Sequence, residues 1–321
     1  MNDAILLRCL GLSKSFGGVV AVHSLDLSLD EGESLGLIGP NGAGKTTLFN
    51  LLSGAERADS GSIEFRGRNI ADLGPERRAD LGLIRTFQNG RTFPNLSVEE
   101  NLLLGSHRRR LAARAGALSW AVELAQAFCP RARLFADEER VARSEAAELL
   151  ALFGERLAPR AKEAAYSFSY ANRRRVEIAR ALAAKPTILL LDEPTAGMNP
   201  SETEEMIGFF LKLKAGGLSM IVVEHKLSLI MKLSDRVIAM DEGQKIAEGS
   251  PGDVLNNPRV VEAYLGSAVA HARGAGSASA VPAAADPASA TPSNAVSSNA
   301  ALASDAVPAR LRGRAAEGWA S

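Results

Sequence analysis

The fold of this chain is decided by the stretch Ser34-Leu-Gly-Leu-Ile-Gly-Pro-Asn-Gly-Ala-Gly-Lys-Thr-Thr47. Its apolar run, Ser34 to Ile38, is typical of a buried parallel strand. The next eight residues, Gly39 to Thr46, fit the phosphate-loop pattern G-x-x-x-x-G-K-[ST]. Glycines let the backbone wrap around a phosphate group, because they carry no Cβ and the successive N–H groups then face the anion. We therefore predict a strand, a phosphate-binding loop and a helix that begins at about Lys45.

A second element supplies carboxylates. Ile188-Leu-Leu-Leu-Asp192-Glu193-Pro194 is an apolar strand that ends in two acids. Asp192 is expected to hold the shell of a Mg²⁺ ion, and Glu193 to polarise an attacking water. Lys45 is expected to reach the β- and γ-phosphates, and the Thr46 hydroxyl to bind the metal. Together the two elements indicate nucleoside triphosphate hydrolysis.

Further apolar runs define the fold class. Thr187 to Leu191 and Ser219 to Val223 are predicted as buried parallel strands. Three other stretches alternate apolar and polar residues, and we predict them as half-exposed antiparallel strands. They are Leu6 to Leu12, Val19 to Leu29 and Arg236 to Met240. The expected class is α/β with a mixed sheet.

Composition changes twice along the chain. Residues Val98 to Gly154 are rich in Leu, Ala, Glu and Arg at helical spacing, which predicts a helical subdomain at about 98–180. Residues 267–321 are rich in Ala, Ser and Pro, and we expect this tail to be disordered because it has little apolar surface to bury. The predicted organisation is one domain over 1–266 and a disordered tail over 267–321.

Composition also excludes several classes of protein. The 321 residues carry 37 basic and 37 acidic side chains, so the formal net charge is +0 and gives no support to a nucleic-acid partner. Cys9 and Cys129 form no zinc or disulfide pattern. We see no signal peptide or membrane span, so we expect any role at a membrane to need a partner that spans it.

At this point the pattern resembles the nucleotide-binding subunit of ATP-binding cassette transporters, from about Leu6 to Gly266. The resemblance implies that the bound nucleotide is ATP with Mg²⁺. It also implies that Gln88 contacts the metal and water, that His225 touches the γ-phosphate, and that Phe16, with Val22 beside it, stacks on adenine. The expected catalytic residues are Lys45, Gln88, Glu193 and His225, and the expected metal ligands are Thr46, Gln88 and Asp192. The ATP-binding residues of the phosphate loop are then Gly39, Pro40, Asn41, Gly42, Ala43, Gly44, Lys45, Thr46 and Thr47.

One family motif departs from its usual form. The family signature reads roughly Leu-Ser-Gly-Gly-Gln, whereas this chain has Phe168-Ser-Tyr-Ala-Asn172. The resemblance implies that Ser169, Ala171 and Asn172 meet the ATP of an opposite subunit. We expect the Ala171 methyl group to obstruct that approach or to strain a positive φ, and Asn172 to reach less far than glutamine. The hypothesis is that these changes weaken the partner's site. Ala196-Gly-Met-Asn199 resembles the D-loop that crosses to the opposite subunit.

The subfamily follows from longer stretches. The chain is similar to cassettes for uptake of branched-chain amino acids in three places. These are Arg85-Thr-Phe-Gln88 with the residues after it, the helical insertion, and the ending Asn256 to Gly266. The similarity implies a second cassette subunit, identical or different, two membrane permeases and, indirectly, a periplasmic substrate-binding protein. It also implies a peripheral position on the cytoplasmic face of the inner membrane.

Several alternatives remain open from sequence alone. The cargo of such systems includes urea, short amides and aromatic acids. A cassette of a lipopolysaccharide-type exporter has a similar ending, and a regulatory half that binds ATP but hydrolyses it weakly would explain Ala171 and Asn172.

Two other classes are not favoured. A phosphate-loop GTPase would need an Asn-Lys-x-Asp guanine-binding motif, which does not occur. A translation or DNA-repair cassette would need a second cassette or coiled-coil arms, and neither is present.

Overall fold

The protein is built on a six-stranded sheet. The computed structural model describes residues 5–86, 92–115 and 132–265. Within these ranges the strands are β1 Ile5–Phe16, β2 Val19–Asp30, β3 Ser34–Ile38, β4 Ser60–Phe65, β5 Arg68–Asn69, β6 Leu83–Arg85, β7 Ile188–Asp192, β8 Ser219–Val223, β9 Arg236–Asp241 and β10 Gln244–Gly249. The six-stranded sheet has the order β10-β9-β3-β8-β7-β6, and all its neighbours are parallel except β9 and β10. The carboxyl ends of five strands therefore meet at one edge, where ligands bind in such sheets.

The second sheet is antiparallel and has the order β2-β1-β4-β5. Its buried side chains share one core with α1, Lys45–Ser53, and with one face of the six-stranded sheet. The phosphate loop is consequently held between the two sheets.

Helices cover the other face of the large sheet. In chain order the remaining α-helices are α2 Pro75–Asp80, α3 Val98–Ala115, α4 Ala132–Ala151, α5 Tyr170–Ala183, α6 Pro200–Ala215, α7 Leu227–Leu233 and α8 Pro251–Leu255. Residues 258–265, at the end of the described part of the chain, are also helical. A second core joins several of these helices to the large sheet. Alternation along β7 assigns Leu189 and Leu191 to this core, and Ile188 and Leu190 to the core around α1.

Local sequence explains where α5 and α6 begin. Ser169 caps α5, and its hydroxyl accepts a hydrogen bond from the Asn172 N–H at 3.4 Å. Asn199 caps α6 in a reciprocal capping box with Glu202, and Pro200 occupies the first helical position. Both caps fix the direction in which the preceding loop enters its helix.

The predicted α/β class with a mixed sheet is confirmed, and the predicted strand Ser34 to Ile38 is β3. The prediction that Arg236 to Met240 is half-exposed is wrong, whereas its predicted antiparallel pairing is found with β10 only. β9 lies inside the sheet, parallel to β3, and Val237 to Met240 are fully buried, because core packs against both of its faces. Helices α3, α4 and α5 occupy the predicted helical part of the chain. The domain division at 266 stays a prediction, since the tail lies outside the described residues.

Candidate functional site

The phosphate loop needs glycine at two of its positions. Gly39 has φ 152°, and a Cβ there would lie 2.2 Å from the Met240 carbonyl oxygen. Gly44 has φ 95°, and a Cβ there would lie 2.2 Å from the Ala21 carbonyl oxygen. Both conformations and both close approaches exclude an ordinary side chain. The loop is thus locked against β9 and β2, while Asn41 and Gly42 are exposed.

Lys45 is buried at the start of α1. Its ammonium group donates to the Gly39 carbonyl oxygen at 2.7 Å and to the Pro40 carbonyl oxygen at 2.8 Å. Burial lowers the pKa of Lys45, and the negative charges of Glu193 and Asp192 oppose that shift. The lysine is therefore placed inside the loop and within the field of both carboxylates.

The other predicted loop residues differ in their exposure. Thr46 is exposed and Thr47 half-buried in the first turn of α1, whereas Pro40 and Ala43 are buried. The N-terminus of α1 carries partial positive charge, so an anion in the loop is stabilised by it.

Asp192, the last residue of β7, is buried and paired. Its Oδ2 accepts a hydrogen bond from an Arg85 guanidinium nitrogen at 2.9 Å. Arg85, at the end of β6, also donates to Asn50 Oδ1 at 2.6 Å on α1. Sequence reasoning missed Arg85, because its partners lie on elements far apart in the chain.

Glu193 and His225 face each other across the ends of β7 and β8. His225 Nε2 lies 3.2 Å from Glu193 Oε1. Glu193 has φ 47°, a conformation that costs a non-glycine residue about 1–3 kcal/mol and recurs at functional sites. Its N–H donates to the Val223 carbonyl oxygen at 2.8 Å, which holds the strained residue against β8. The two predicted catalytic residues are thus brought together.

Arg174 fixes the backbone of the two acids. The guanidinium group is buried, donates to the Asp192 carbonyl oxygen, and lies 3.1 Å from the Glu193 carbonyl oxygen. It also pairs with Glu177 at 2.7 Å within α5. The helix that follows the signature motif therefore holds the backbone of the two acids in its own subunit, a contact that the sequence analysis missed.

The signature motif presents only part of itself to solvent. Ser169 and Tyr170 are exposed at the N-terminus of α5, whereas Ala171 is 5% exposed and packs in the helical core. Ala171 lies in the first turn of α5 and is not among the residues with positive φ, so the expected backbone strain is wrong. Asn172 Oδ1 accepts a hydrogen bond from Arg175 at 2.8 Å.

Phe16, at the end of β1, is 46% exposed and suits the predicted contact with a base. The expected contact of Val22 does not fit, because Val22 is fully buried and pairs in register with Lys14. Val19, 68% exposed, is the cross-strand partner of Phe16 and takes that place beside it. Gln88, the remaining predicted site residue, lies outside the described residues.

Comparisons with known proteins identify two family matches in this chain. Residues 22–196 match the family described as ABC transporter, and residues 244–270 match branched-chain amino acid ATP-binding cassette transporter. The first match contains the phosphate loop, the signature motif and both acids. Where the structure describes helices, none is both long and apolar enough to cross a bilayer.

Individual relatives cover most of the chain. The high-affinity branched-chain amino acid transport ATP-binding protein LivG of Salmonella typhimurium is 39% identical over 266 residues, which are 82% of this chain and 98% of LivG. BraF of Pseudomonas aeruginosa, described in the same words, is 36% identical over 82% of this chain and 98% of its own length. The solved ADP conformation of MJ1267, an ATP-binding cassette of an ABC transporter, is 30% identical with a TM-score of 0.67 and covers 82% of this chain and 99% of that one.

Proposed function

Because this chain belongs to the ABC transporter family, we propose that it is the ATP-binding and ATP-hydrolysing subunit of an importer for branched-chain amino acids. The observation that carries the proposal is a grouping at the edge of the large sheet. Lys45 follows β3, Glu193 follows β7 and His225 follows β8, and these three strands are neighbours in the order β3-β8-β7. A phosphate anchor, a carboxylate base and a histidine are the groups that hydrolysis of a nucleoside triphosphate needs.

In the proposed mechanism the loop binds the phosphates of ATP. The backbone N–H groups of the loop and the N-terminus of α1 face the phosphates, and Lys45 exchanges the Gly39 and Pro40 carbonyl oxygens for phosphate oxygens. Phe16 offers an exposed aromatic face to the adenine ring.

Mg²⁺ fits the chemistry of this site. The Thr46 hydroxyl and the buried Asp192 carboxylate are hard oxygen donors, which this ion prefers, and Gln88 would add a third. When bound, the ion would neutralise charge on the β- and γ-phosphates. Arg85 holds the Asp192 carboxylate in place.

Glu193 acts on the attacking water. Its carboxylate accepts a proton from the water, and His225 Nε2, 3.2 Å from Glu193 Oε1 without nucleotide, turns to donate to the γ-phosphate when ATP is bound. Arg174 and the bond from the Glu193 N–H to Val223 keep the base in position. Preorganisation of this kind contributes because no rearrangement is needed during the reaction.

We infer that turnover requires a second cassette. Ser169 lies at the exposed N-terminus of α5, so its hydroxyl and the positive end of the helix suit the γ-phosphate of an ATP bound by another subunit. The proposed assembly contains two cassettes and two membrane permeases at the cytoplasmic face of the inner membrane, and a periplasmic protein delivers the substrate.

The cargo proposal rests on the relatives. LivG and BraF are described as branched-chain amino acid transport proteins, and the family match over residues 244–270 agrees. The lipopolysaccharide exporter and the weakly hydrolysing regulatory half are accordingly not favoured.

The test is transport by the complete assembly in proteoliposomes. We expect ATP-driven uptake of labelled leucine, isoleucine or valine, and loss of both uptake and hydrolysis in Lys45→Ala. Lys212→Ala, an exposed lysine on α6, is the matched control and should behave as wild type. Hydrolysis that drives uptake of urea but of no branched-chain amino acid would contradict the cargo, and absence of hydrolysis would contradict the function.

A further inference from the structure

Three consecutive residues after β8 contact the segment after β7. Glu224 accepts a hydrogen bond from the Thr195 hydroxyl at 2.5 Å, and His225 lies 3.2 Å from Glu193. Lys226 makes the third set of contacts. The segment that receives them leads into the D-loop, residues 196–199, which precedes α6.

Lys226 bridges the D-loop from end to end. Its ammonium group donates to the carbonyl oxygens of Thr195 and Met198, both at 3.0 Å, and to the Thr203 hydroxyl at 2.8 Å. Thr203 lies on α6, so these bonds reach residues before, within and after the D-loop. Three donors on one nitrogen match the capacity of an ammonium group.

The remaining contacts of the D-loop are the burial of Met198 in the core, local backbone bonds and the contacts at its two ends. Arg174 holds the carbonyl oxygens that precede it, and the capping box of Asn199 and Glu202 holds its junction with α6. Lys226 therefore joins Met198, inside the D-loop, to the segment after β8 that also carries His225.

The site also favours a cation at position 226. Glu224 is 3% exposed, and its Oε2 has no hydrogen-bond partner among the described residues. The Lys226 charge offsets part of the pKa increase that burial causes in Glu224. An uncharged residue at position 226 would remove part of the positive charge that compensates this buried carboxylate.

We propose that Lys226 is a positioning residue for ATP hydrolysis, which fixes the D-loop to the loop that carries His225, so that the two loops move as one body. The inference rests on the proposed function, in which His225 meets the γ-phosphate of its own site and the D-loop faces the opposite subunit. Presence of the γ-phosphate at one site would then be transmitted directly to the subunit interface. Among the described residues, Lys226 makes no hydrogen bond to the phosphate loop, so it should influence turnover and not ATP affinity.

The experiment compares Lys226→Met, Lys226→Arg and Lys232→Met in the full-length chain. Lys232, on α7, also bonds to α6, through Glu204 at 2.7 Å, but both side chains are about half exposed and neither touches the D-loop. Amide hydrogen exchange of residues 195–203 is measured in the purified chain. The values of kcat and KM for ATP are measured in the complete transporter.

We expect Lys226→Met to exchange about tenfold faster over residues 195–203 and to lose about tenfold in kcat with KM within twofold of wild type. Lys226→Arg should recover part of both, because it keeps the charge and several donors. Lys232→Met should match wild type in both measurements.

Wild-type exchange and wild-type kcat in Lys226→Met would overturn the proposal. So would a general loss, in which exchange rises throughout the chain and KM rises with it, because that result assigns Lys226 to stability alone. If the wild-type transporter hydrolyses no ATP, the proposed function fails, and the exchange measurement still decides whether Lys226 fixes the D-loop.

Discussion

At the residue scale, Ala171 has a different meaning in the structure than in the sequence. The side chain is 5% exposed and packs within its own subunit, so its methyl group does not point toward a partner. Glycine at this helical position would remove a buried methyl group and add backbone entropy to the unfolded chain. The departure from the family signature is therefore compatible with an active site.

We predict that Ala171→Gly lowers the free energy of unfolding by about 1 kcal/mol and leaves the ATPase rate of the assembled transporter unchanged. Urea unfolding and steady-state hydrolysis check the two parts. Ala179→Gly, also buried within α5, is the control for the stability cost. A higher ATPase rate in Ala171→Gly would restore the explanation in which the methyl group obstructs the partner's site.

Glu224 should make stability depend on pH. Burial raises the pKa of Glu224 from its usual 4.5, while the Thr195 hydrogen bond and the Lys226 charge offset part of the shift. Glu193 adds to the shift and Arg174 opposes it. An acid with a raised pKa in the folded state contributes stability below its unfolded pKa, and that contribution is lost as the pH rises through the folded value.

The prediction for Glu224→Gln is a smaller loss of unfolding free energy between about pH 4.5 and neutral pH than in wild type. Glutamine still accepts the Thr195 hydrogen bond but does not ionise. Urea unfolding at the two pH values measures the difference, and Glu204→Gln, an exposed carboxylate, is the control. Identical pH dependence in wild type and Glu224→Gln would contradict the assignment.

Single residues show what sequence can and cannot give. Lys45, Glu193 and His225 were predictable, because each belongs to a short motif whose spacing is preserved in the chain. The roles of Arg85 and Arg174 were not predictable, because only the fold brings each to its partner. Arg85 lies more than a hundred residues from Asp192, and Arg174 lies about twenty residues from Glu193. Val22 was misplaced because strand register, which puts Val19 beside Phe16, is not visible in the motif.

At the element scale, the C-terminal helical segment 258–265 is tied to the phosphate loop. The Gly39 N–H donates to the Tyr264 hydroxyl at 2.9 Å, and the carbonyl oxygen of the same glycine accepts from Lys45. When Lys45 leaves for the phosphates, the bond to Tyr264 remains to hold Gly39. The segment thus supports the loop across more than two hundred residues of sequence.

Tyr264→Phe removes only the hydroxyl, so we predict an increase in KM for ATP of about threefold to fivefold with kcat unchanged, which corresponds to one hydrogen bond of about 1 kcal/mol. Titration of nucleotide binding and steady-state kinetics measure the effect. Tyr166→Phe, on a side chain that is 65% exposed, is the control. An unaltered KM in Tyr264→Phe would show that the loop keeps its shape without this bond.

Strand prediction succeeded where one physical rule decided the pattern. β3 and β8 are short apolar runs buried on both faces, and their bounds match the predicted ones. β7 begins one residue later than predicted and includes Asp192, because this acid pairs in register with Val223 of β8. The burial of β9 was not predicted, because its position between β3 and β10 is determined by tertiary packing.

At the scale of the whole molecule, the large sheet separates two cores and supports the site at one edge. One core joins the antiparallel sheet and α1 to the phosphate loop, and the other joins the helices to the signature motif and the D-loop. Arg174 connects the signature-motif helix to the acids of the site, because its side chain reaches from α5 to the carbonyl oxygens of Asp192 and Glu193 at the end of β7. The disordered tail over 267–321 stays a prediction from composition alone.

The central claim is that Glu193 activates water in a site completed by a second cassette, and Glu193→Gln in the full assembly tests it most directly. ATP turnover and the ATP-bound oligomer are measured together, by phosphate release and by size-exclusion chromatography with light scattering. We predict that this variant binds ATP, accumulates closed cassette dimers and loses at least about 100-fold in turnover. Normal turnover in Glu193→Gln would contradict the account.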